Sequence, residues 1–417
     1  MLTLKKTEKL WSLRLFTVCF VALCASLPMA WVSLSKLLLF TVCLVYLSVW
    51  AVQGGHPPAT LPRLTSRMVL LTVCGFAISI FWTEVDSPFA IAMLVKHAKL
   101  LQILLLCCLI RNAREAKLAL KVFVYTQVFV LVSSWLLAAG VALPWVKNDQ
   151  ASIGVRYVVF SESYLDQSIM FAVLSPVIWH VRPAGKWWGL LAGLLAIAAI
   201  LNVLALLPGR TGHLAILAVV LMALAWGIPK RARRVAVLLG SALITVLLFT
   251  TGFENVSMRA SKVIQETHEY TQHGDTSTSS GWRINAWHRS IQAIQAQPLT
   301  GYGVGSWSPA VKRLDGDNAL RDFGPGNSSN PHQEYLLWGV ELGSIGPLLL
   351  VALFVAMAMD AKNFPTALRR ATFSAIAVTA IACLFNSSLY DALIGDFLCT
   401  TLGLLMALGL HRSEWQK

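Results

Sequence analysis

The run WWGLLAGLLAIAAILNVLALL, residues 187–207, leads directly into Pro208-Gly209-Arg210-Thr211-Gly212-His213. An uncharged stretch of this length matches the roughly 20 residues an α-helix needs to cross a hydrocarbon core. Comparable runs recur from one end of the chain to the other, mean hydropathy is +0.65, and only 13% of residues are charged. The composition therefore specifies an all-α polytopic integral membrane protein. About twelve spans are expected, near residues 10–30, 33–51, 67–83, 89–110, 118–140, 165–181, 187–207, 211–228, 235–251, 334–358, 371–389 and 392–411. Residues 1–251 would hold the first nine spans, 252–333 a large partly helical loop, and 334–417 the last three spans and a tail. The first segment lacks a small-residue cleavage pattern and reads as an uncleaved helix.

Basic residues fall in alternate connections, which sets the orientation. They are Lys5, Lys6 and Lys9; Arg63 and Arg67; Arg111, Arg114 and Lys117; Arg182 and Lys186; Lys230, Arg231, Arg233 and Arg234; Lys362, Arg369 and Arg370; and Arg412 and Lys417. The intervening connections are poor in Lys and Arg, so both termini are expected in the cytoplasm and the 252–333 loop outside. The formal net charge of +14 is then largely topological, and a nucleic-acid partner is not expected. Arg156, Arg210, Arg283 and Arg289 are the exceptions, basic residues on the side where the rule expects few. All eight cysteines lie within or at the edge of apolar spans, which argues against a disulfide framework or a cysteine zinc site.

Within the loop, residues 254–270 suit a short helix. Gly281–Gln297 carries Ile284, Trp287, Ile291 and Ile294 at helical spacing, opened by Ser279 or Ser280 and stopped by Pro298. With Trp282, Trp287, Arg283 and Arg289 on it, this helix is expected at the membrane surface. Its arginines either hold lipid phosphates generally, or Arg283 grips the phosphate of one lipid substrate bidentately. Gly301-Tyr302-Gly303-Val304-Gly305 has no preceding strand and reads as a tight turn under Trp307 before it reads as a phosphate loop. Asp315-Gly316-Asp317 reads as a turn before a metal site.

Asn330-Pro331-His332-Gln333-Glu334-Tyr335 opens the next span. With Asn330 as N-cap and Pro331 in the first helical position, His332 is expected in the first helical turn, where the N-terminal dipole and nearby arginines keep its imidazole neutral. It is then either a general base or a capping, interfacial histidine; Glu334 either orients it or serves the helix dipole. Arg210 is costly on a tight connection at this depth unless an anion or water-filled cavity receives it. Lys96 and Lys99, which flank His97 on one expected face, either snorkel to the surface or line the same cavity. Several cations and one histidine thus converge on the outer side, with no Ser-His-Asp arrangement, metal cluster, ATP loop or cofactor motif. A membrane-resident, anionic and already activated substrate fits, as a lipid-linked glycan diphosphate is.

Pro208-Gly209-Arg210-Thr211-Gly212, then Arg283 to Trp287 with Pro298-Leu299-Thr300-Gly301-Tyr302-Gly303, then Asn330-Pro331-His332-Gln333-Glu334-Tyr335 resemble the O-antigen ligase and polymerase superfamily in order and sidedness. Within it the chain is most similar to the WaaL-type O-antigen ligases of Gram-negative bacteria, although those often carry Asn where this chain has Gln333. The resemblance implies a metal-independent, inverting glycosyltransferase of the inner membrane with its active site facing the periplasm. The implied donor is undecaprenyl-diphosphate-linked O antigen and the implied acceptor lipid A-core oligosaccharide. His332 would be the general base and Arg210 and Arg283 the diphosphate clamp, with Arg156 as helper ahead of Lys96 or Lys99. An O-antigen polymerase, a protein O-oligosaccharyltransferase and a transporter of lipid-linked glycan are the alternatives.

Overall fold

The computed structural model describes residues 2–53, 61–146, 156–161, 163–227, 254–274, 276–315 and 330–411. These are helical throughout, with no strand among the described residues. The expected span at 235–251, the basic residues Lys230 to Arg234, Gly316, Asp317, Arg412 and Lys417 lie outside them.

Helices α1 (Leu2–Cys24), α2 (Met29–Gln53) and α3 (Arg63–Ser79) are followed by the bent pair α4 (Ser87–Ala98) and α5 (Leu101–Leu109), then α6 (Ala113–Ala138). Next come α7 (Tyr164–Val181), α8 (Lys186–Ala205) and α9 (Arg210–Gly227). The loop region holds α10 (Glu254–His273), α11 (Ser279–Ala296) and α12 (Trp307–Asp315). Last are α13 (Glu334–Leu342), α14 (Ile345–Ala361), α15 (Thr366–Phe385) and α16 (Ala392–Leu410).

Seven of these helices are long and apolar enough to cross a bilayer, and the α4–α5 pair, bent by 51°, would make an eighth. Each expected span other than 235–251 coincides with a helix or a helix pair, with shifted ends. Two expected spans are not single helices. The segment 89–110 breaks after Ala98, and 334–358 breaks at Gly343, whose φ of +68° no helix accommodates.

The core gathers on α16, which is buried along nearly its whole length and packs against α2, α5, α6, α7 and α15. Its small residues allow this: a Cβ at Gly403 would stand 2.8 Å from the Leu106 side chain of α5. Local signals place the helix starts. Asn112 caps α6 by accepting from the Glu115 N–H at 2.9 Å, and Ser163 caps α7 through the Leu165 N–H at 3.1 Å. At the opposite end of the bundle from α10–α12, Arg14 and Glu115 form a buried pair with contacts of 2.7 and 2.8 Å. There Asp360 of α14 accepts from the Leu64 and Thr65 N–H groups and so ties α14 to the start of α3.

The glycine run closes the α13–α14 break. Tyr302 and Gly303 donate to the carbonyls of Val340 and Glu341 at 2.9 and 3.0 Å, and Gly305 N–H donates to Glu341 Oε1 at 2.7 Å. Gly301, Gly303 and Gly305 all take positive φ to do so. Every backbone group used here is spent on the fold, which makes the run a packing turn and not a phosphate cradle. Beneath it, the buried His97 Nε2 stands 2.8 Å from Glu341 Oε2, with its ring stacked on Phe76 at 3.8 Å.

Candidate active site at the loop-bearing end

Arg210 is the first residue of α9. The motif around it is glycine-rich because α9 begins hard against α7: a Cβ at Gly212 would lie 2.4 Å from Ser168 Cβ. Arg210 Nη1 donates to Ser280 Oγ at 2.7 Å and Nη2 to Glu266 Oε2 at 3.3 Å, joining α9 to α11 and α10. Glu266 also accepts from the Ser280 N–H at 3.0 Å. Burial pushes its carboxyl pKa up, but the hydrogen bonds from Ser280 and the Arg210 guanidinium outweigh that and hold it below the usual value.

Helix α11 forms where periodicity places it, but its cap and buried face differ from expectation. Thr278, not Ser279 or Ser280, is the N-cap, accepting from the Gly281 N–H at 3.1 Å. The buried side is made of Ser280, Asn285, Ala286, Ser290 and Ala293, whereas Ile291 is exposed. Small and polar residues win the inner face because α11 lies close on α13, with the Ile294 side chain against Gly339.

From α11, Arg283 reaches the end of α15, where Nη2 donates to Asn386 Oδ1 at 3.4 Å. Asn386 in turn donates to Thr211 Oγ1 at 3.1 Å, next to Arg210. Burial, then the positive charge of Arg210, depresses the Arg283 pKa. Two guanidinium groups are thus held near enough to oppose each other's charge, an arrangement that an anion relieves.

His332 does not sit in a helical turn. Helix α13 starts at Glu334 with Gln333 as its N-cap, accepting from the Leu336 N–H at 2.6 Å. His332 lies before the cap with φ +49°, its own N–H donated to Asn330 Oδ1 at 2.9 Å. Asn330 therefore caps a tight turn, because the Pro331–His332 segment folds back instead of winding on. Helix α11 supports the turn: Trp287 Nε1 donates to the Pro331 carbonyl at 3.1 Å, and the Trp282 ring meets the imidazole at 5.0 Å. Burial, then the Arg283 charge, lowers the His332 pKa to about 4, so the imidazole is neutral at physiological pH.

Other expected residues lie elsewhere. Glu334 is fully buried and neither orients His332 nor merely faces a helix dipole; it accepts from Trp338 Nε1 at 2.9 Å and from the Leu389 and Tyr390 N–H groups at 3.0 and 3.2 Å. Lys99 donates to the carbonyls of Tyr390 and Asp391 at 3.2 and 2.6 Å, and Lys96 lies over the Tyr390 ring at 4.1 Å. Although α4 ends between them, both therefore reach Tyr390, away from Arg210, Arg283 and His332. Arg289 Nη1 donates to Gln292 within α11 at 3.3 Å. Arg156 is exposed, 5.6 Å over the Tyr157 ring, and no hydrogen bond or ion pair joins it to Arg210, Arg283 or His332 among the described residues. Sequence reading missed Glu266, Ser280 and Asn386; the polar run Asn386-Ser387-Ser388 between two apolar helices was the available signal for the last.

Fold and site together define a polytopic helical protein that gathers two arginines and a neutral histidine at one end of its bundle. Residues 194–351, from within α8 to within α14, match the family model described as O-antigen ligase. That match takes in Arg210, Arg283 and His332, so this part of the chain is similar to the O-antigen ligase family. No curated protein matches the chain.

Proposed function

We propose that this protein is an O-antigen ligase, which moves O-antigen polysaccharide from undecaprenyl diphosphate to lipid A-core oligosaccharide at the periplasmic face of the inner membrane. The observation that carries the reading is the joining of Arg283, through Asn386 and Thr211, to the start of α9 at Arg210, with the Arg283 charge acting on a neutral His332. Arg210 and Arg283 bind the donor diphosphate and offset the charge that develops on it as the glycosidic bond breaks. Neutral His332 takes the proton from the acceptor hydroxyl as that oxygen attacks the anomeric carbon of the donor glycan. The C–O bond to the diphosphate breaks, configuration inverts, and undecaprenyl diphosphate leaves with the bonding electron pair. The proton passes from His332 to water. The diphosphate supplies the driving force, so the reaction is expected to need neither ATP nor a metal ion.

Deleting the gene in its host and resolving both the lipopolysaccharide ladder and the undecaprenyl-linked glycans tests this. Loss of the ladder with long polymer left on the carrier supports a ligase. Single repeat units on core or carrier would assign a polymerase instead.

A further inference from the structure

The Arg210 guanidinium already engages an anion. Glu266 Oε2 stands 3.3 Å from Nη2, on a donor that a phosphate oxygen would need. Two further observations show that the carboxylate has somewhere else to go. Its other oxygen, Oε1, lies 3.7 Å from Lys262 Nζ, one turn earlier on α10. Beside it opens a cleft of about 340 Å³ lined by Lys262, Gln265, Glu266, Glu269, Ser277 and Thr278, all polar residues. A side chain with a second cation and open polar space within reach can exchange partners at small cost, because its charge is never left buried and unpaired.

We infer that Glu266 is a positioning residue for the donor: it holds Arg210 aimed into the site, competes with the diphosphate for that guanidinium, and passes to Lys262 when the diphosphate binds. The inference rests on the diphosphate reading of Arg210. It has a consequence opposite in sign to that of an ordinary supporting carboxylate. A Glu that only steadied Arg210 would weaken donor binding when neutralised, whereas a competitor strengthens it.

The test is binding of undecaprenyl diphosphate to the purified full chain in lipid nanodiscs, with thermal unfolding of each variant as a folding control. Glu266→Gln keeps the size and can still accept from the Ser280 N–H, and is expected to bind the carrier about tenfold more tightly, with a lower KM for the lipid-linked donor and an unchanged KM for the acceptor. Glu266→Asp, which keeps the charge but draws it back by one methylene, gives a smaller gain and serves if the Gln variant fails to fold. Lys262→Ala weakens binding severalfold in the wild-type background and has no effect in Glu266→Gln. Unchanged or weaker carrier binding in Glu266→Gln overturns the inference. Arg210→Ala separates the two levels: if it binds the carrier as wild type does, the diphosphate reading itself is wrong, whereas weakened binding there without tightening in Glu266→Gln rejects only the role of Glu266.

Discussion

His332 meets Trp282 edge-on, ring centroids 5.0 Å apart at 65°, while its backbone stays left-handed at φ +49°. A non-glycine residue in that region stores about 1–3 kcal/mol of strain and keeps the conformation only when its surroundings impose it. The surroundings are Asn330 Oδ1 on the His332 N–H and Trp287 Nε1 on the Pro331 carbonyl. In the proposed mechanism helix α11 therefore carries both Arg283 for the donor and the Trp287 and Trp282 contacts that bracket His332, which ties acceptor deprotonation and donor binding to one helix.

The bracket can be loosened without touching the base. Trp287→Phe keeps most of the ring and removes the hydrogen bond to Pro331. We expect kcat to fall about tenfold, the cost of misplacing a catalytic group by a fraction of an ångström, with donor affinity unchanged. A steady-state transfer assay paired with carrier binding checks it, and an unaltered kcat would show that the turn holds its shape without Trp287.

Removing the imidazole with His332→Ala should abolish transfer while carrier binding persists. The pH dependence is more specific. The base works deprotonated, and its pKa near 4 means that kcat/KM stays flat from neutrality down to about pH 5 and falls only as pH approaches 4. Replacing Arg283 by Gln removes a positive neighbour that disfavours the imidazolium, so the acid limb of that variant's residual activity should move to higher pH. An acid limb that stays near the same pH in Arg283→Gln would disconnect the two groups.

The helices were legible because spans in lipid are long uncharged runs, and Arg210, Arg283 and His332 stood out because charge and histidine are rare in such a chain. What could not be read was pairing. Glu334 adjoins His332 in sequence but is turned away from it, since α13 begins between them and carries the carboxylate inward to Leu389 and Tyr390. Lys96 and Lys99 do meet, but at Tyr390 and the start of α16, a destination that their spacing could not name. Glu266 gave no signal in an ordinary amphipathic helix; only the folding of α10 onto α9 brings it to Arg210 from 56 residues away. Such contacts come from tertiary packing, which local periodicity does not encode.

The two arginines should not tolerate equal replacements. Arg210→Ala and Arg283→Ala are both expected to lower kcat/KM at least a hundredfold, about 2.7 kcal/mol in the transition state. Lysine keeps the charge but not the planar fork, so partial rescue is expected at either position. Rescue should be poorer at Arg283, where the ammonium must also reach Asn386 through a buried approach. Wild-type rates in both alanine variants would remove the clamp from the mechanism.

Glu334 offers the sharpest separation of structural from catalytic roles, because it lies two residues from the base and yet serves the loop between α15 and α16. Three buried donors converge on it, from Trp338, Leu389 and Tyr390. Glu334→Ala leaves all three unsatisfied, and each orphaned group costs about 1–3 kcal/mol. Glutamine is a poor substitute, since its amide nitrogen would face one or more of those donors. Both variants should therefore unfold at markedly lower temperature in detergent, alanine more so, while the folded fraction retains carrier binding at Arg210 and Arg283. A catalytic carboxylate acting through His332 would show the reverse: an unchanged unfolding temperature with a large loss of kcat and a displaced acid limb.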